Sequence, residues 1–172
     1  DKIWGVGLNE DNELIAFNEL TTEYFVNSGA ENFSYTRIQL KAVKAGIAGT
    51  HAKAEFKDKW YALTRRGTTQ YQFSVIQSGS AESITSREIE KVLSKYNGEQ
   101  LSKTIVEVFT KDATTWMVAH LPDKTLAYNE TVAKSFGVNA AWSIIKSDVF
   151  GGRTYRGVNF VYDPGLSKWC VG

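Results

Sequence analysis

Along most of its 172 residues the chain alternates apolar and polar side chains with a period of two, and short polar turns punctuate the alternation. Successive side chains of a strand point to opposite faces, so this pattern calls for many short strands rather than packed helices. Strands are expected at residues 3–7, 13–17 and 20–26, then at 50–56, 59–63 and 71–77, then at 104–109, 114–120, 124–128 and 141–145. Two more, at 155–162 and 168–171, flank Asp163-Pro164-Gly165, a strong turn signal. The densest β-branched and aromatic run starts at Thr114 and stops at Pro122-Asp123. Proline fixes φ and aspartate bonds its own backbone there, so a hairpin corner is expected.

Grouped, the strands suggest blade-like units at about 1–45, 46–100 and 101–150, with a final hairpin at 155–172 beginning a fourth. A period of about 40–50 residues with up to four antiparallel strands is what propeller blades require. The expected fold class is mainly β, with antiparallel sheets arranged as propeller-like blades. A β-sandwich with Greek-key connections is the alternative. One short amphipathic helix is expected at about 86–97. Thr85-Ser86-Arg87-Glu88 has capping-box form, Ile89, Val92, Leu93 and Tyr96 make one apolar stripe, and Asn97-Gly98 closes the C-terminus. The helix should lie across the edge or end of a sheet.

Composition narrows the function classes. A hydrophobic content of 42% with 23% charge suits a globular domain of this length. No apolar run reaches the roughly 18 residues that span a bilayer, and no basic segment precedes an apolar one at the N-terminus, so membrane insertion is not expected. Twenty basic residues stand against nineteen acidic ones, and the basic residues are scattered. A duplex-binding surface would carry a basic stripe, because phosphate neutralisation supplies most of that affinity. Sequence-specific nucleic-acid binding is therefore not expected. The single Cys170 lies in an apolar strand and reads as a small hydrophobe. The first residue is Asp1 rather than methionine, and Gly172 directly follows the strand-like 168–171; both suggest a single β-rich segment cut from a longer chain.

The search for chemistry finds little. His51 and His120 lack a second histidine, cysteine or carboxylate at ligand-like spacing, so neither metal nor cofactor is expected. Ser78-Gly79-Ser80 is not a nucleophile elbow, and Gly151-Gly152-Arg153 lacks the lysine and helix start of a phosphate cradle. The acidic turn at 9–13 lacks the spacing of a calcium loop. No catalytic residue is assigned. Trp4, Trp116, Trp142 and Trp169 beside tyrosines leave carbohydrate binding as an alternative, although strand tryptophans more often fill a core.

Three blocks carry a resemblance. They are Gly46-Ile47-Ala48-Gly49-Thr50; the run from Gly79 to Glu90; and His120-Leu121-Pro122 followed by Thr125-Leu126, Tyr128, Trp142 and Tyr155-Arg156-Gly157-Val158. Thr22-Glu23-Tyr24-Phe25 is a looser echo. In this order and spacing they resemble the packaged-DNA stabilisation proteins of short-tailed bacteriophages, also called tail hub or tail accessory factors. The resemblance implies a non-enzymatic structural protein of the virion tail, assembled in the host bacterial cytoplasm. It implies a homo-oligomer, a sixfold ring below the portal and its adaptor. That ring closes the DNA exit channel, stabilises packaged DNA and supports the tail needle and tailspikes. The loop at 146–155 mixes an aromatic residue, glycines and an arginine, the composition favoured at interface centres. Phe150, Arg153, Tyr155 and Arg156 are the expected subunit or partner interface. On the alternative reading the chain is a carbohydrate-binding β-propeller module for host-surface lipopolysaccharide.

Overall fold

The computed structural model describes residues 1–32, 34–67, 69–147, 153–155 and 157–172. The first sheet is built from β1 (Ile3–Leu8), β2 (Leu14–Asn18), β3 (Thr22–Asn27) and β4 (Tyr35–Arg37), paired antiparallel in chain order. The turn after β1 is held by Asn9, whose side-chain oxygen accepts the Glu13 N–H at 2.8 Å and whose amide donates to the Glu13 carboxylate at 2.7 Å.

The second sheet holds β5 (Gly46–Ile47), β6 (Lys53–Phe56), β7 (Lys59–Arg66), β8 (Gln70–Gln77) and β9 (Ser80–Ser83). β5 and β6 both pair with β7, at different heights, so they are two pieces of one edge strand. The continuous strand expected at 50–56 is therefore shorter, and a backbone turn from Gly49 to Ala52 separates the pieces. The third sheet runs β10 (Ile105–Lys111), β11 (Thr114–His120), β12 (Thr125–Asn129) and β13 (Trp142–Ile145). Its β11–β12 corner closes through Leu121 N–H to Lys124 O at 2.9 Å, with Pro122 and Asp123 at the tip. A two-stranded hairpin, β14 (Val161–Asp163) and β15 (Lys168–Cys170), follows. The Asp163 carboxylate accepts the Gly165 and Leu166 amides at 2.8 and 3.2 Å. Each four-step sheet is a meander, and no strand among the described residues crosses between sheets as a Greek-key sandwich would require.

The middle sheet explains the stacking. On β7, Trp60 and Ala62 point to the first sheet, where they join Ile15, Phe17, Tyr24, Ile47 and Ile76 in one core. Tyr61 and Leu63, one residue out of phase, point the other way and join Phe73, Val106, Val108, Met117 and Leu126 in a second core with the third sheet. Five consecutive β7 residues, Trp60 to Thr64, are thus buried because both faces are covered. The first contact is close: a Cβ added at Gly7 on β1 would lie 2.5 Å from the Trp60 ring, so the bare backbone is what lets the indole seat there.

The helices differ from expectation in extent. α1 (Arg87–Leu93) is capped by Ser86, whose hydroxyl accepts the Ile89 N–H at 3.3 Å. Thr85 is not the cap; its hydroxyl instead makes paired bonds to the Phe73 backbone at 2.6 and 3.0 Å, holding the helix to β8. The helix ends at Leu93, and Asn97-Gly98 does not close it. Asn97 opens α2 (Gly98–Ser102), forming a capping box with Gln100. Ile89, Leu93 and Leu101 all enter the core between the second and third sheets. A further helix, α3 (Glu130–Phe136), was not expected. Asn129, the last residue of β12, caps it by accepting the Val132 N–H at 2.9 Å.

Candidate interaction surface

The pleat of β10 prepares the surface. Val106 and Val108 face the core, so Glu107 and Phe109 face the opposite side, where the terminal hairpin lies. Phe109 stacks on Phe160 at a centroid distance of 4.3 Å and touches Trp169 at 6.3 Å. Tyr155 stacks between His120 and Phe160, each at 6.4 Å, and Tyr162 meets Trp169 edge-on at 5.7 Å. The rings line a cleft of about 670 Å³ rimmed by Lys111, Asp112 and Lys168. Residues 157–160 are not strand, and β14 begins only at Val161, against the expected strand at 155–162. Asn159 has φ 58°, which interrupts extended backbone, and Val158 pairs with Gly172 through two backbone bonds of 3.0 and 3.3 Å.

Of the four expected interface residues, Phe150 and Arg156 lie outside the described residues, as do Gly151 and Gly152 of the same loop. Arg153 is exposed, and its carbonyl accepts the Ser147 N–H at 3.4 Å. With Thr154 it borders a cavity of about 160 Å³ beside Asp123, Lys124 and Ile144. Tyr155 is half-buried in the ring stack just described. The structure thus brings the end of the loop to the Pro122-Asp123 corner, and the Thr154 hydroxyl donates to Asp123 O at 3.4 Å.

That corner is charged and ordered by Tyr96. The Tyr96 hydroxyl donates to the Asp123 carboxylate and accepts from Lys124 Nζ at 3.0 Å, and Lys124 also reaches Asp123 at 2.9 Å. Hydrogen bonds from Tyr96 and then Lys124 hold the Asp123 carboxyl below its usual range, and hydrogen bonds to Tyr96 and then Asp123 raise Lys124. Sequence reasoning missed Glu107 and Phe160, which join the third sheet to the hairpin across 53 positions. His120 does have a carboxylate beside it, but on a neighbouring strand rather than at a sequence spacing. Cys170 is exposed, not packed as a hydrophobe, because β15 turns it away from the rings. Among the described residues no group of three or more His, Cys, Asp or Glu side chains could hold a metal ion.

Comparison with known proteins decides the family. All residues from 1 to 172 match the model of the family described as bacteriophage P22 Gp10, beta-propeller. The chain belongs to that family. The mainly β, propeller-like fold expected from the alternation holds. Among curated proteins, the tail hub protein gp10 of Salmonella phage P22 is 29% identical over 166 residues, which cover 95% of this chain. The chain spans 34% of the length of that relative.

Proposed function

We propose that this β-propeller segment is a structural part of a virion tail hub. In this reading six copies form a ring below the portal and its adaptor. The ring closes the DNA exit channel, retains the packaged genome, and offers surfaces to the tail needle and tailspikes. It is built in the host cytoplasm and acts without catalysis or cofactor. The observation that carries the reading is the likeness to a tail hub protein along 95% of the chain. Physics supports it: a rigid stack of cross-bonded sheets resists deformation, and cyclic assembly by heterologous contacts closes a channel from one repeated interface. A net charge of +1 fits a wall that encloses DNA without gripping it.

We place the interface on the loop at 146–155, through Phe150, Arg153 and Tyr155, and on Arg156 beside it. The test is phage carrying Arg153→Glu with Phe150→Ala. Heads should package DNA, fail to mount needle and spikes, and lose their genomes, while the thermal midpoint of the purified variant stays unchanged. Normal tails from the double variant would overturn the interface, and a ring of other than six subunits in electron micrographs would overturn the assembly.

The carbohydrate-binding reading has less support, because Trp142, one of the rings it names, is engaged in packing. Trp142 lies against Phe73 and Tyr128 at 5.1 Å and donates its Nε1–H to Ile84 O at 2.8 Å. Titration of tryptophan fluorescence with host lipopolysaccharide separates the two: saturable binding would favour the carbohydrate module.

A further inference from the structure

We infer that the cavity between the Pro122-Asp123 corner and the end of the 146–155 loop is a carboxylate site, and that its ligand is the Glu10-Asp11 turn of a second copy of this chain. The inference rests on the ring and interface reading above and names the partner of that same site.

The cavity, about 160 Å³, is lined by Lys124, Lys146 and Arg153, with Asp123 the one carboxylate among the described residues around it. Asp123 is already engaged, by the Tyr96 hydroxyl and by Lys124 Nζ at 2.9 Å. Lys146 and Arg153 are exposed and form no ion pair among the described residues. Their backbones are tied together, since Lys146 bridges Thr154 and the Ser147 N–H reaches the Arg153 carbonyl at 3.4 Å. Two cations without a counter-charge thus stand on a preset frame.

The complement stands on the first sheet. Glu10-Asp11 is the sole adjacent acidic pair in the sequence. Both residues are exposed at the tip of the β1–β2 turn, which the Asn9–Glu13 bonds hold in one shape, so little ordering is lost on contact. Lys41 reaches this corner, but its ammonium is bonded to Glu13 at 2.6 Å. Burial, then repulsion from Asp58 and Glu10, raises the Glu55 carboxyl, so negative charge extends from the turn onto β6.

The two patches belong to the first and third sheets, with the second sheet between them. A ring closed by heterologous contacts needs two such unlike, separated patches on every copy. A cation pair set against a carboxylate pair fixes the orientation and register of that contact. The occupant is therefore a second copy, because the same chain carries the counterpart in matching charge number.

The test uses the full polypeptide, mounted on DNA-filled heads. One set reverses the cavity, Lys146→Glu with Arg153→Glu; another reverses the turn, Glu10→Lys with Asp11→Lys; a third variant carries all four changes. Either set alone should raise the hub concentration for half-maximal mounting at least about tenfold, because like charges then meet at every contact, and the combined variant should return to within about threefold of the parent. Circular dichroism identifies a set that misfolds. Lys146→Gln with Arg153→Gln and Glu10→Gln with Asp11→Asn then replace the reversals, and their combined effect should be no larger than either alone. A combined variant no better than the worse set overturns the proposal. Loss of mounting from the cavity set with none from the turn set assigns the cavity to another tail protein or to phosphate; it overturns the second copy as ligand and leaves the interface reading standing. Rings unaffected by either set overturn the proposal alone. A parent that mounts without forming a ring overturns the ring reading and the proposal with it.

Discussion

Glu107 and His120 are joined across neighbouring strands of the third sheet, with Glu107 Oε2 2.9 Å from His120 Nε2, while the other carboxylate oxygen accepts the backbone N–H of Phe160 at 3.1 Å. One carboxylate thus ties the sheet to the terminal hairpin. With Nε2 donating, His120 Nδ1 can accept from the Thr125 hydroxyl at 3.3 Å, which completes the ring's polar contacts. Glu107→Ala leaves two donors unmatched, and a loss of about 2 kcal/mol is expected. Hydrogen exchange checks this: residues 157–172 should lose protection while β11 and β12 keep theirs. Glu107→Gln, which retains one acceptor, should lose less.

Close backbone approach at Gly49 predicts a second loss. A Cβ there would sit 2.0 Å from the Ser102 carbonyl oxygen, so Gly49→Ala must push α2 away from the second sheet. A destabilisation of about 2–3 kcal/mol is expected from such overpacking. Thermal unfolding checks it, with Gly67→Ala, at φ 66° but with no neighbour near its Cβ, as a comparison that isolates backbone strain.

Glu130 gives a pH dependence. Burial by itself would raise its carboxyl, but hydrogen bonds from Lys134 and Lys59, each at 3.0 Å, outweigh burial and hold its pKa below the usual value. A carboxyl depressed in the folded state stabilises above its unfolded pKa of about 4.3, and that contribution is lost as pH falls through the folded value. The midpoint of Glu130→Gln should therefore lie below that of the parent at neutral pH, and the two should converge on acidification. Melting curves across that range check the sign.

Lys53 gives the opposite slope. Its Nζ lies 5.4 Å from the ring centres of both Phe17 and Trp60, and burial between the sheets lowers its pKa. The unfolded chain then holds more protons between the folded and unfolded values, so stability rises with pH in that alkaline window. Lys53→Met keeps the apolar stem, removes the charge, and should raise the melting midpoint at neutral pH and flatten the alkaline rise. Differential scanning calorimetry at two pH values would settle it.

How much the sequence announced depended on whether the cause was local. β11 spans Thr114–His120 as expected, because β-branched density and the Pro122-Asp123 corner act within a few residues. β9, with the sequence Ser-Ala-Glu-Ser, has no strand signal of its own and is extended because β8 pairs with it. β4 at Tyr35–Arg37 is similar, a three-residue edge defined by β3. Asn97-Gly98 is chemically able to end one helix or cap another. The Gln100 side chain, bonding back to the Asn97 N–H at 3.0 Å, selects the second role. The proposed interface residues rest on composition alone. Arg153 is placed at the Asp123 corner, and Tyr155 in its stack, by contacts from strands about 30 positions earlier, which no local pattern encodes.

The indole resting on bare backbone at Gly7 has a geometric corollary for the sheet stack. One aromatic thickness there, instead of two interleaved side chains, sets how closely the first two sheets approach near β1. A side chain introduced at that glycine would force the indole, and β7 with it, away from β1. The spacing of two sheets thereby rests on an atom that is absent.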